Sequence, residues 1–285
     1  MTTSSSITPT VLMEGLALGE SPRWHDGRLW LSDWLAGQVL TVDYQGRHFV
    51  QLEMSGLPFC FDWLPDGRML ILSNGDGRKL LRREFSTRLH TVADLSTLSP
   101  HPWNEIVVAD NGNAYVNSIG FDMMGGAEPQ PGIIAVVAPD GSARQVAGDL
   151  RFPNGMVITP DGGTLIVSES YAQCLTAFDI EPDGGLSNRR VWAEVDGHPD
   201  GICIDAEGAI WCAAMTRCVR VREGGQILAE VPLDRAAFAC MLGGPQSSTL
   251  YVMVAEWAGS EGMSPDRRTG QILTAPAPAP RAGHP

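Results

Sequence analysis

Two carboxylates and two carboxamides recur in phase along this 285-residue chain: Glu20, Asn104, Asn154 and Asp200. Asn104, Asn154 and Asp200 each lie eight residues before a turn glycine (Gly112, Gly162, Gly208), and Glu20 lies seven before Gly27. Oxygen-only donors suit a hard divalent cation, because two carboxylates balance its charge and carboxamides add neutral oxygens. Calcium is the first choice, Mg or Mn come next, and Zn ranks last because it usually favours N and S ligands. Taken singly, each residue has a plainer use. Asn154-Gly155 and Asp200-Gly201 are common turn pairs, and Glu20 can cap a loop. The shared phase, with Pro153 and Pro199 fixing two of the entries, is what points to one site.

The phase belongs to a repeat of about 45 residues. Turn pairs at Asp26-Gly27, Asp66-Gly67, Asn111-Gly112, Asp161-Gly162, Glu207-Gly208 and Ser247-Ser248 each precede a short apolar strand such as Leu29-Trp30-Leu31 or Ile210-Trp211-Cys212. The fourth unit parses into four strands, 155–160, 164–170, 175–180 and 190–195, separated by Gly-rich or small polar turns. Six such units without an amphipathic helix predict an all-β chain, a six-bladed β-propeller. The sixth unit runs short, and residues 8–13 are expected to supply its outer strand, so that an N-terminal strand closes the last blade. The expected organisation is a flexible N-terminus over 1–7, a single propeller domain over 8–275, and a mobile Pro/Ala tail over 276–285. In such a ring the four polar residues face one another, and Phe59 and Cys240 take the matching positions in the remaining units.

Composition narrows the partners. A net charge of −13, with no basic run longer than two residues, speaks against a nucleic-acid surface. No apolar run reaches 18 residues, so no membrane span is expected. The N-terminal residues lack the basic and apolar regions of a signal peptide, and a cytoplasmic location is expected. Six cysteines without a CxxC pair read as reduced core residues. There is no G-x-S-x-G elbow and no H-E-x-x-H, and the histidines are scattered. His25 and His198 fall near the expected channel mouth in supporting roles. Asn74-Gly75-Asp76-Gly77 hints at a calcium loop but lacks the remaining ligands and reads as a turn.

Three segments in order, Gly19-Glu20-Ser21-Pro22-Arg23-Trp24, Pro153-Asn154-Gly155-Met156 and Pro199-Asp200-Gly201-Ile202-Cys203-Ile204-Asp205, resemble the signature segments of the SMP-30/gluconolactonase/regucalcin family. The resemblance spans roughly residues 12 to 275. It implies a six-bladed propeller with one divalent metal in its channel and, as in most characterised members, lactone hydrolysis. Carried over, Glu20, Asn154 and Asp200 are the metal ligands, Asn104 contacts substrate or a water on the metal, and Asp200 is the general base. Sugar-lactonase members similar to regucalcin carry an arginine two residues before the equivalent of Asn104, where this chain has Pro102.

The residues expected to form lid and walls (Phe59, Trp103, Phe121, Met123, Met124, Met215, Trp257) are mostly apolar or aromatic, with Trp103, Phe121 and Met215 as substrate contacts beside Asn104. A metal-dependent lactonase acting on a small lactone or ester, either a sugar lactone or a more apolar one, is the leading expectation. The alternatives are a phosphotriesterase or arylesterase at the same site, and a non-enzymatic calcium-binding propeller.

Overall fold

The computed structural model describes residues 4–75, 77–84 and 88–285. The first three residues of the expected flexible N-terminus, and Asp76 of the Asn74–Gly77 segment, lie outside them. Among the described residues the regular structure is all β apart from one 3-10 turn at Ser260–Gly262. Short strands rich in Val, Ile, Leu and aromatic residues alternate with Asp-Gly and Asn-Gly turns, which supply the positive φ that reversal demands.

Four sheets have four antiparallel strands each, in sequence order. The first is Gly19–His25, Arg28–Asp33, Gln38–Val42 and His48–Glu53. The second is Phe59–Trp63, Met69–Ser73, Lys79–Arg83 and Leu89–Asp94. The third is Trp103–Val108, Ala114–Ser118, Gly132–Val137 and Ala143–Leu150. The fourth is Pro153–Ile158, Thr164–Glu169, Cys174–Ile180 and Leu186–Glu194.

The remainder is a single seven-stranded sheet: Pro199–Ile204, Ile210–Val221, Ile227–Gly243, Thr249–Ala255, Gly270–Pro276 and Thr10–Leu16, with Ser5–Ser6 added in parallel on Ile227–Gly243. The expectation of six separate four-stranded blades is thereby corrected: four such sheets form, and the rest of the propeller is one continuous sheet. The cause is local. Between Cys212 and Cys218 the sequence Ala-Ala-Met-Thr-Arg holds no Gly or Pro, so the 12-residue strand runs through. The 17-residue strand Ile227–Gly243 continues through Pro232, pairing with Ile210–Val221 through its first half and with Thr249–Ala255 through its second.

The inner strands adjoin in a closed circuit. Gly19–His25 neighbours Phe59–Trp63, then come Trp103–Val108, Pro153–Ile158, Pro199–Ile204 and Ile227–Gly243, which returns to Gly19–His25. Apolar side chains fill the space between neighbouring sheets. Val107, Tyr115 and Ile134 of the third sheet pack on Met156, Leu165 and Val167 of the fourth, and Leu29 and Leu31 of the first pack on Tyr251, Met253 and Ile272 of the seven-stranded one. All six cysteines are free and buried.

Thr10–Leu16 pairs with Gly270–Pro276, joining the two ends of the chain. The tail also departs from a mobile extension. The Ala282 amide donates to the Ile204 carbonyl (3.1 Å), the Ile158 and His284 main chains exchange bonds of 2.8 and 3.0 Å, and the Arg281 guanidinium donates to the Trp24 carbonyl (3.0 Å). These contacts lie at the ends of the inner strands remote from Glu20, Asn154 and Asp200.

Candidate functional site

The inner strands that carry the four in-phase residues are each irregular at that point. Pairing registers shift between Glu20 and Arg23, Trp103 and Glu105, Pro153 and Met156, and Pro199 and Ile202. A bulge of this kind re-aims a side chain out of the alternating pattern. Phe59–Trp63, whose matching position carries no polar group, pairs with Met69–Ser73 in unbroken register.

The glycines after Asn154 and Asp200 are not turn residues. A Cβ on Gly155 would lie 2.6 Å from the Ile202 nitrogen, and one on Gly201 would lie 2.6 Å from the Ala239 Cα. Both glycines let adjacent inner strands approach closely, which draws their polar neighbours together.

Glu20, Asn104, Asn154 and Asp200 share one cavity of about 320 Å³. The Asn104 carboxamide donates to Asn154 Oδ1 (3.1 Å), and Asn154 Nδ2 reaches Ser170 Oγ (3.4 Å). Main-chain carbonyls beneath are tied by side chains: Asn117 Nδ2 to Asn154 O at 2.7 Å, Ser168 Oγ to Asp200 O at 2.6 Å, and Ser170 Oγ to Pro199 O at 2.7 Å. The backbone that carries the donors is thus pinned. Burial pushes the Glu20 carboxyl well above its ordinary value, and the neighbouring Asp200 and Glu105 charges add to the shift. Asp200 is pushed well up too, by burial first and then by Glu105, against the opposing hydrogen bonds from the Gly201 amide and Asn154.

Asp200 Oδ1 is out of solvent with no protein hydrogen-bond partner. Two crowded carboxylates, one with an orphaned oxygen, fit a divalent cation, and Asn154 offers a neutral oxygen beside them. Among the described residues no group of three or more His, Cys, Asp and Glu side chains forms a metal cluster, consistent with a donor set that is half carboxamide.

A buried ion pair underlies the floor. Arg23 donates to Glu105 Oε1 (3.0 Å) and to the Ile106 carbonyl (2.7 Å), and its Nε lies 3.7 Å from Asp62. Ser21, held at φ 47°, reaches Glu105 Oε2 at 3.4 Å. Neither Glu105 nor Arg23 stood out in the sequence as part of the site. The signal was a charged residue next to Asn104 in an inner strand, Trp103–Val108, whose other residues are apolar.

Phe121, Met123, Met124, Met215 and Trp257 line the cavity, joined by Trp34, Phe152, Tyr171 and Phe238, which sequence reasoning missed. Phe121, Phe152 and Tyr171 form an aromatic wall with centroids 5.8 and 4.7 Å apart, and Phe238 meets Trp257 edge-on at 5.6 Å. Phe152 and Met215 sit at φ 59° and 54°, a conformation costly for non-glycine residues and concentrated at functional sites.

Trp103 is a correction: it is fully buried among Leu72, Ile106 and Val116 between the second and third sheets and does not touch the cavity. Phe59 is likewise core. His198 lines the cavity, its Nδ1 3.0 Å from the Ser170 carbonyl, whereas His25 stacks on Trp63 at 4.0 Å at the other end of its strand. Asn74 is more than a turn residue. Its carboxamide accepts from the Trp103 amide (2.9 Å) and donates to the Trp103 and Pro58 carbonyls (2.8 and 2.7 Å), fixing the strand just before Asn104. A larger cleft of about 850 Å³ on the flank, lined by Arg151, Glu169, Arg189 and Arg190, shares no residue with this cavity, and Arg189 and Arg190 are paired to Glu169 and Asp179.

A β-propeller with oxygen donors gathered at one end of its channel defines the class of protein. Residues 18–256 match the profile of the SMP-30/Gluconolactonase/LRE-like region, and the chain belongs to that family. Regucalcin of Xenopus laevis is 26% identical over 280 residues, covering 92% of this chain and 89% of that protein. Pentonolactonase XacC of Haloferax volcanii is 27% identical over 286 residues, with 90% and 89% covered. Among solved structures, a gluconolactonase from Xanthomonas campestris superposes with a TM-score of 0.75 at 25% identity, covering 94% of this chain and 89% of that one.

Proposed function

We propose that the protein is a divalent-metal-dependent lactone hydrolase, with calcium as the preferred ion. The observation that carries the reading is the pair of carboxylates, buried Glu20 and half-buried Asp200, beside two carboxamides in a cavity whose lining, among the described residues, holds no Lys or Arg to neutralise them. Membership of a family with pentonolactonase and gluconolactonase relatives supports the reaction class.

Glu20, Asn154 and Asp200 would hold the cation, with Asn104 turned to the substrate. When bound, the ion supplies Lewis-acid polarisation of the lactone carbonyl. Asp200 takes the proton of the attacking water, and Asn154 orients its carboxyl. Asn104 Nδ2, now bonded to Asn154, can donate to the ring or carbonyl oxygen of the ester. The tied carbonyls of Asn154, Pro199 and Asp200 keep these groups in place while the tetrahedral centre forms.

Hydrolysis followed by pH drop, on chelated protein reloaded separately with Ca, Mg, Mn and Zn, tests the reading. Asp200→Ala is expected to cost about 10²–10⁴-fold in kcat. Glu20→Gln is expected to raise the metal concentration needed for half-maximal rate. Wild-type turnover by either variant, or a rate indifferent to chelation, refutes the assignment.

A further inference from the structure

Chemistry in this cavity is confined to one end. Above the floor of Glu20, Asn104, Asn154 and Asp200, the walls are hydrocarbon and aromatic ring, and among the described residues no Lys or Arg lines them. Three of the other polar side chains are bonded within the protein. Ser170 Oγ donates to the Pro199 carbonyl at 2.7 Å, His198 Nδ1 lies 3.0 Å from the Ser170 carbonyl, and Asp122 Oδ1 accepts the Gly125 amide at 2.8 Å.

A polyhydroxylated ring placed here finds partners for the ester group and few for its other hydroxyls, chiefly the Tyr171 phenol and the His198 ring. Each hydroxyl stranded without a partner weakens binding by about 5- to 150-fold. A carboxylate, sulfonate or phosphate carried on the non-reacting part of the substrate meets no Lys or Arg along the walls, among the described residues, and passes Asp122 there.

The rim continues the same chemistry. Met124, Met215, Tyr171 and Trp257 are 53, 39, 39 and 43% exposed, so four of the large apolar side chains left in solvent ring one mouth. Isolated exposed apolar residues are ordinary, but a contiguous set around a cavity marks a binding surface. Methionines at 123, 124, 215 and 263 add adaptable walls that accept varied hydrocarbon shapes.

We infer that the substrate is an uncharged lactone or ester whose non-reacting part is hydrocarbon, an alkyl chain or an aryl ring seated between the Phe121–Phe152–Tyr171 wall and the Phe238–Trp257 pair. This rests on the hydrolase reading for the ester group and on the walls alone for the remainder. At about 320 Å³ the cavity is at the small end for ligand sites, which limits that part to one short chain or one ring.

The test is a series of δ-lactones on the calcium-loaded protein: δ-valerolactone, δ-hexalactone, δ-octalactone and δ-decalactone, with D-glucono-δ-lactone as the polar comparator. Burial of each added methylene is worth about fourfold, so kcat/KM rises by that factor per carbon until the cavity is full. D-glucono-δ-lactone is expected at least about 25-fold below δ-decalactone, given two or more stranded hydroxyls. Met215→Ser and Trp257→Ser, both partly exposed and so tolerated by the fold, are expected to flatten the chain-length dependence.

Equal or better turnover of D-glucono-δ-lactone, or no dependence on chain length, overturns the inference. Binding separates this failure from failure of the hydrolase reading. Saturable quenching of tryptophan fluorescence by 6-pentylpiperidin-2-one, with none by D-glucono-δ-lactam, supports the hydrocarbon assignment even if no lactone is hydrolysed. The reverse preference overturns it whatever the activity.

Discussion

Neutralising the two floor carboxylates in shape-preserving form, Glu20→Gln with Asp200→Asn, is expected to have opposite effects on the metal-free and metal-loaded protein. Without metal, both groups are held above their ordinary pKa by burial first, then by neighbouring carboxylates, Asp200 and Glu105 for Glu20 and Glu105 for Asp200. A carboxyl raised in the folded state binds protons more tightly there than in the unfolded chain. Its contribution to stability is therefore full below the ordinary value near 4 and is lost as pH rises through the folded-state value. Within that window each group lowers stability by up to about 1.4 kcal/mol per pH unit.

Chelated wild type is thus expected to fall progressively behind the double variant between pH 4 and neutrality, and the variant to be the more stable of the two at pH 8. Calcium reverses the order. At 100 times its Kd a ligand stabilises by about 2.7 kcal/mol. An unfolding entropy of about 2.1 cal/mol/K per residue over 285 residues gives roughly 0.6 kcal/mol/K. The expected rise in Tm is then about 4–5 °C for the wild type and none for the variant. Scanning calorimetry at pH 5, 6, 7 and 8, with chelator and with calcium, measures both effects. An equal calcium shift in the two proteins, or a chelated wild type that stays as stable as the variant at pH 8, refutes the reasoning.

Arg23→Met leaves Glu105 and Asp62 buried without their cation and is expected to cost about 3–5 kcal/mol, read as a denaturation midpoint. Adding Glu105→Gln should recover part of that loss, and a fully additive double variant counts against the coupling. Deleting residues 277–285 is expected to speed hydrogen exchange at the Ile158 and Ala206 amides, which lose the His284 and Pro280 carbonyls, while leaving the calcium-induced shift in Tm intact. Unchanged exchange at those amides refutes the anchoring role of the tail.

Much of the floor was legible because its signal is periodic. A residue eight before each turn glycine returns to the same place in each unit, so the spacing brought Asn104, Asn154 and Asp200 together without any knowledge of contacts. Trp103 shows what that signal omits. Side chains along a strand alternate between faces, and with Asn104 turned to the cavity the preceding Trp103 is directed into the packing between sheets. Its aromatic character suggested a wall, and its parity argued against one. The continuous seven-stranded sheet escaped for a different reason. Repeat counting assumes a break between units, and the segments around Ala214 and Ala236 contain none. The tail escaped because Ala and Pro give no apolar pattern, while what anchors it is main chain of other strands, at Ile158, Ile204 and Ser247.

The difference between floor and wall has one physical origin. Floor residues sit on inner strands, where bulges at Glu20, Asn104, Asn154 and Asp200 and close glycine contacts at 155 and 201 constrain the main chain on both sides. Wall residues Phe121, Met124, Phe152, Tyr171 and Trp257 lie outside the named strands, in connections of unequal length that carry no common phase, whereas Met215 and Phe238 lie on the two long strands. Connections tolerate change because few main-chain bonds depend on their sequence, whereas the bulged strands cannot vary without moving their neighbours. Reaction type is thereby tied to the repeated part of the chain and substrate class to the unrepeated part. Exchanging the 119–124 connection should therefore change which ester is accepted while leaving the calcium affinity proposed for Glu20, Asn154 and Asp200 where it was. A loss of calcium affinity on that exchange would show floor and wall to be one mechanical unit.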